Sequence, residues 1–172
     1  MQDCDIILNR LLKILVRVGI NRMMKNITIY TDGALRKYSD FKLGAWCYYM
    51  YDENGIDVKA RIEDSDEVTN NRMEVQAVIE AFKQVANNAN VHLYADSQYV
   101  LYGLARDCVS KSNPDLWRQL ADLIKNKHLS VKTTHVYGHQ GITGNEVADK
   151  TMRAMLDQVI KKRKHAMQML IF

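Results

Sequence analysis

"TNNRMEVQAVIEAF", Thr69–Phe82, is the stretch on which the fold turns. Val75, Val78, Ile79 and Phe82 recur at the i, i+3, i+4, i+7 spacing of an amphipathic helix, predicted to run to Asn87. Three strand-like segments precede it. "ITIYT", Ile27–Thr31, alternates and is predicted to end at Asp32. "LGAWCYYMY", Leu43–Tyr51, is rich in aromatics, and "IDVKARI", Ile56–Ile62, alternates cleanly. The Asn54–Gly55 step between the last two marks a hairpin. After the helix, "VHLYA", Val91–Ala95, reads as a fourth strand ending at Asp96. A short helix from Ser97 follows. "NPDLWRQLADLIKNK" then opens a helix with Asn113 as N-cap and Pro114 at its first position. "VKTTHVY", Val131–Tyr137, is the fifth strand, and "GHQGITGN" leads into a last helix from Glu146.

Strand directions follow. Hairpins make strands one to three antiparallel. The helix of residues 69–82 carries the chain back, so strand four runs parallel to strand one by a right-handed crossover, and strand five does the same. The expectation is an α/β fold: a five-stranded mixed sheet, strands one to three antiparallel and four and five parallel to one, flanked by helices. In this topology Asp32 and Asp96 end neighbouring parallel strands at one edge. The helix holding Glu74 begins at that edge, as does the last helix, with Asp149 expected in its first turn.

Glu74 sits beside the apolar stripe, where an unpaired charge is costly. One reading makes it the N3 residue of a capping box with Asn71 as N-cap, a place that also suits the helix dipole. That reading accounts for Glu74 alone and leaves the convergence of four acids unexplained. Four carboxylates in one place repel one another and stay ionised together only with a counter-charge. Hard oxygen ligands suit Mg²⁺ or Mn²⁺. Two such ions about 4 Å apart stabilise the attacking and leaving oxygens of a phosphoryl transfer.

"TDG" at Thr31–Gly33, "TNNRME" at Thr69–Glu74, "DSQYV" at Asp96–Val100 and "GHQGITGNEVAD" at Gly138–Asp149 resemble the motifs of type-one ribonuclease H, in order and with fitting spacing from Ile27 to Met155. The resemblance implies an endonuclease that cuts the RNA strand of an RNA–DNA hybrid, leaving a 3′-hydroxyl and a 5′-phosphate. It implies two Mg²⁺ ions per site, with Mn²⁺ able to substitute, and Asp32, Glu74, Asp96 and Asp149 as ligands. His139 matches the family's mobile loop histidine, which assists proton transfer or product release. Asn70 and Asn71 match minor-groove contacts, where a 2′-hydroxyl separates RNA from DNA. Thr69 and Asn113 match positions that hold a DNA phosphate, although Asn113 also reads as a plain helix cap. Gln98 and Tyr99 fall on nucleic-acid contacts. The chain also departs from the family. "ALRKYSDFKLG" replaces the glycine- and proline-rich loop that usually follows the first motif. Glu67 stands where a basic residue is common, and Asp107 where many members have tryptophan. The stretch from Gly103 to Asn113 is too short for a basic helical protrusion. Two other readings stay open: a nuclease of the same fold acting on DNA, of the resolvase or transposase kind, and a non-catalytic hybrid-binding module. The asparagine pair and the histidine loop weigh against the first, and the retention of all four acids against the second.

Composition agrees with one domain plus an extension: 172 residues, 47% hydrophobic. A net charge of +4 suits a nucleic-acid ligand without showing one. Cys4, Cys47 and Cys108 are odd in number and lack metal-ligand spacing, as expected of reduced thiols in the cytoplasm. No run is long enough for a membrane span. The expected division is a basic, amphipathic helical extension over 1–24 and a catalytic domain over 25–172. In the extension Ile7, Leu8, Leu11, Leu12, Leu15 and Val18 share one side, while Asn9, Arg10, Lys13 and Arg17 lie largely on the other. It reads as a helix packing on its own domain or a partner, or lying on a membrane surface. Met23 and Met24 offer alternative translation starts. At the other end "KKRKH", Lys161–His165, is a candidate surface for the DNA backbone, or else a solvated basic helix end that suits the helix dipole. "AMQMLIF", ending at Phe172, is apolar. The two ends are expected to pack together or to meet a partner jointly.

Overall fold

Alternation in the first strand sets the layers of the molecule. Ile27 and Ile29 point into the main core, while Thr28 and Tyr30 point to the other face. The structure, a computed structural model, describes residues 25–108, 110–137 and 143–169. Its strands are β1 (Asn26–Lys37), β2 (Lys42–Asp52), β3 (Gly55–Glu63), β4 (Asn90–Ala95) and β5 (Ser130–His135). Its helices are α1 (Asn70–Gln84), α2 (Gln98–Ala105), α3 (Pro114–Asn126) and α4 (Thr143–Met169). The sheet order is β3-β2-β1-β4-β5. The pairs β1–β2 and β2–β3 are antiparallel, and β1–β4 and β4–β5 are parallel, as the chain directions require. The α/β mixed sheet expected from the sequence is the one formed.

Several boundaries differ. β1 does not end at Asp32. Its pairing with β2 continues from Asp32↔Cys47 to Lys37↔Lys42, and the Tyr38 amide closes the hairpin on Phe41 O at 2.8 Å. Its parallel pairing with β4 stops at Thr31↔Ala95, so Asp32 is the first residue beyond the β4 ladder while still held by β2. The unusual "ALRKYSDFKLG" is therefore a strand extension and a hairpin. The N-cap of α1 is Thr69, whose Oγ1 accepts the Arg72 amide at 3.1 Å; Asn71 is already helical and the capping box with Glu74 does not form. That places Glu74 beyond the first turn, on the buried side. α1 stops at Gln84, short of Asn87, because Val85 turns extended and buries its side chain. α4 begins at Thr143 rather than Glu146, which moves Asp149 from the first turn into the second.

Two cores flank the sheet. On one face Ile29, Trp46, Tyr48 and Leu93 pack against Val75, Ile79 and Phe82 of α1 and Trp117 and Leu120 of α3. Burial of several large side chains, each contributing about 1.5–3 kcal/mol, makes this the main source of stability. On the other face Ala34, Leu43, Ala45 and Cys47 meet Ala148, Met152, Leu156 and Ile160 of α4. Among the described residues no helix is long and apolar enough to cross a membrane.

Candidate active site

The site forms where the two cores meet the end of the β1–β4 ladder. Asp32 leaves that ladder from β1, and Asp96 follows β4 directly. Gly33 decides how closely α1 can approach. A Cβ there would overlap the Glu74 amide nitrogen, so only glycine lets the helix backbone lie against the strand. Glu74 is carried in with it and is buried to 5% exposure, beside Asp32 at 8%. Asp32, Glu74 and Asp96 each offer an oxygen, and these oxygens lie within 4.8 Å of one another.

Electrostatics follow from this geometry. Burial, then Asp96 and Asp149, push the Asp32 carboxyl up to about 7, against a smaller lowering by the Gly33 amide. Glu74 is raised well above the usual carboxylate range by burial, then by Asp32 and Asp96. Its Oε1 accepts from Asn70 Nδ2 at 3.5 Å, while Oε2 is buried with no hydrogen-bond partner. A buried acceptor without a donor, next to two more acids, is a site built for a cation. The residues therefore fit a divalent metal. Cys47, paired with Asp32 across the β1–β2 ladder, has its thiol pushed up to about 12 by burial and by Asp32, so it is inert packing.

Asp149 borders the same cavity, of about 190 Å³, together with Asp32, Asp96 and Asn145. Its carboxylate accepts from Arg153 one helical turn on. Three of the four expected acids thus form a tight group, and the fourth lines its cavity. Three further residues here were not singled out from the sequence. Arg153 was legible as the i+4 partner of Asp149. Asn145, 4% exposed with a buried, unpartnered Oδ1, carries no such signal. Arg72, inside the "TNNRME" motif, binds Asp115 through two nitrogens at 3.1 and 2.8 Å and Asn113 Oδ1 at 3.3 Å.

Asn70 lines the cavity. Asn71 and Gln98 are exposed on the first turns of α1 and α2, and Thr69 is exposed at the cap of α1. Asn113 occupies the N-cap position of α3 in a left-handed conformation (φ 55°), but its side chain makes no cap bond, contrary to the plain-cap reading. Instead its Nδ2 donates to the Tyr99 hydroxyl at 3.1 Å. Trp117 Nε1 donates to the same hydroxyl at 2.9 Å, and that hydroxyl donates to Ser112 O at 2.7 Å. His139, between Gly138 and Gly141 in the sequence, lies outside the described residues, as do Cys4, the extension 1–24 and the last three residues.

An acidic cluster at the end of the β1–β4 ladder of a β3-β2-β1-β4-β5 mixed sheet is the donor set that a metal-dependent phosphoryl-transfer enzyme requires. The family model described as RNase H matches residues 24–157. A protein named ribonuclease H from Caldicellulosiruptor saccharolyticus is 31% identical over 150 residues, covering 79% of this chain and 99% of that protein. One from Ralstonia nicotianae is 35% identical over 139 residues, with 73% and 88% covered. One from Orientia tsutsugamushi is 37% identical over 138 residues, with 72% and 78% covered. The chain belongs to the ribonuclease H family and is a nuclease of that family.

Proposed function

We propose that the chain hydrolyses the RNA strand of RNA–DNA hybrids with two divalent ions, Mg²⁺ in the first place and Mn²⁺ as a substitute. Asp32, Glu74, Asp96 and Asp149 are the residues that hold them. The observation that carries this reading is the buried, unpartnered Glu74 Oε2 within the three-acid cluster. When bound, such ions supply the charge that makes an attacking oxygen nucleophilic and stabilises the departing one. The chain's own residues do the rest. Asn70 orients Glu74, and Arg153 holds the Asp149 carboxylate in one rotamer. His139 assists proton transfer or product release from its loop. Asn70 and Asn71 choose the strand through the 2′-hydroxyl, Thr69 and Asn113 hold a DNA phosphate, and Gln98 and Tyr99 complete the groove. Products are a 3′-hydroxyl and a 5′-phosphate.

Free thiols at Cys47 and Cys108 support action in the cytoplasm. Residues 25–172 make the catalytic domain, and residues 1–24 an extension to it. A labelled RNA–DNA hybrid, incubated with Mg²⁺ and then with chelator, tests the function. Cleavage of the RNA strand only, lost with chelator, is expected. Equal cutting of duplex DNA would favour a DNA-processing nuclease, and binding without cleavage a hybrid-binding module.

A further inference from the structure

The sheet face that carries α4 is covered along its upper half only. Gly144 seats the start of α4 on the Tyr30 ring, and from there the helix packs over Ala34, Leu43, Ala45 and Cys47. Below that line the strand register brings aromatics into a row. Tyr30 pairs with Tyr49 on one side and Tyr94 on the other. Tyr30 stacks on Tyr94 with centroids 4.8 Å apart, and Tyr94 on His92 at 4.2 Å. Tyr49 meets Tyr30 and Tyr51 edge to face at 6.2 and 6.0 Å. The row continues onto the edge strand, where Val58 lies opposite Tyr49 and Ile56 opposite Tyr51. Tyr51, Ile56 and Val58 are 41%, 66% and 39% exposed. Single exposed apolar residues are ordinary, but three neighbours continuous with an aromatic floor mark a surface made to be covered. A sheet with parallel central strands also calls for cover on both faces.

The chain itself reaches this place. β1 is the central strand, and its lower end is pinned where the Asn90 amide donates to Lys25 O at 2.8 Å. The opposite face is already filled by α1 and α3. Immediately before Lys25 come six residues that span up to about 20 Å when extended. Before those lies the segment with the one-sided apolar stripe Ile7, Leu8, Leu11, Leu12, Leu15 and Val18. As a helix, residues 7–18 would be roughly 18 Å long, close to the width of five strands spaced about 4.8 Å apart.

We propose that residues 7–18 cover the lower half of this sheet face, laying their apolar stripe across Tyr51, Tyr49, Tyr30 and Tyr94, with Ile56 and Val58 at the rim. The segment then works as a third layer, at the end of the sheet remote from the acidic cavity. It adds stability without entering the chemistry.

The test uses the full chain. Side-chain oxidation by hydroxyl radicals, read by mass spectrometry, is compared between the parent and a variant carrying Leu8→Asp, Leu11→Asp and Leu15→Asp. Tyr51 and Ile56 are expected to be protected in the parent and oxidised at least three-fold faster in the variant. Both proteins should be monomeric by light scattering and keep hybrid cleavage. Ile56→Asp supplies an independent arm. It should lower Tm by several degrees in the parent and leave the triple-Asp background unchanged. Equal oxidation in parent and variant would overturn the proposal, as would an Ile56→Asp effect that is the same in both backgrounds. Protection that vanishes on dilution, with a dimer mass at high concentration, would assign the face to a second copy of the chain and overturn it as well.

Discussion

Asp32 and Glu74 hold the tension between stability and chemistry in this molecule. Both carboxyls lie above their ordinary range because burial and neighbouring acids oppose the charge. A carboxyl raised on folding contributes stability that is complete below its unfolded value and is lost as pH rises through its folded value. For Asp32 that window runs from its ordinary 3.8 up to about 7. In chelator, the metal-free protein should therefore lose stability between pH 5 and pH 8. Asp32→Asn should flatten that loss and raise stability at pH 8 by about 1–3 kcal/mol, while hybrid cleavage disappears. Scanning calorimetry in chelator at the two pH values checks this, and a lower Tm for the variant at pH 8 would contradict it. His139→Ala belongs to the same scale with the opposite logic. A side chain that assists proton transfer contributes about 100-fold in the usual case, so the variant should cut slowly and measurably in single-turnover assays. Complete inactivity equal to that of Asp32→Asn would give the histidine a larger part.

At the scale of elements, α1 and α3 are tied by one polar knot: Arg72 to Asp115 and Asn113, with the Tyr99 hydroxyl of α2 accepting from Asn113 and Trp117. Asp115 is half exposed, so the ion pair itself is worth about 1 kcal/mol or less. Its larger effect is positional. Arg72→Ala should lower stability by about 1 kcal/mol and raise KM for the hybrid more than it lowers kcat, because Asn113 loses one of the two groups that hold its amide. A change confined to kcat would detach the knot from substrate binding. The same elements show what sequence could and could not convey. Helix, strand and order were legible because apolar spacing reports which face is buried. Cap phase was not, since "TNN" offers three good N-cap residues and periodicity does not choose among them. Packing chose Thr69, because Gly33 draws the helix against β1 at Met73 and Glu74. The continuation of β1 past Asp32 was hidden for a related reason. Ala34 to Lys37 carry no strong strand signal of their own, and pairing with β2 makes them strand.

The whole molecule raises the question of how a hybrid is held without a basic protrusion. α4 runs from the acidic cavity through Lys161–His165, so Lys161 stands twelve residues beyond Asp149, roughly 18 Å along the helix. The convergence of the acids was legible from topology. The division of labour within the basic run was not, because it depends on the β1–β2 hairpin that α4 packs against. Arg163 pairs with Asp64 and lies over the Phe41 ring at 5.0 Å, and Lys164 lies over the Tyr38 ring at 5.1 Å. These contacts tie Arg163, and more loosely the exposed Lys164, to the hairpin; Lys161 and Lys162 are exposed too and make neither contact. Of the four consecutive cations, the first two are thus the candidates for phosphate binding. Each phosphate that a variant leaves unneutralised should lower the salt slope of binding by roughly 0.9. Lys161→Ser with Lys162→Ser should then weaken hybrid binding and reduce that slope by about 1–2, with Tm unchanged. Arg163→Ser should do the reverse, lowering Tm with the slope intact. Binding isotherms at several salt concentrations separate the two outcomes. An unchanged slope for the double lysine variant would make the end of α4 a solvated basic surface and move the DNA backbone elsewhere.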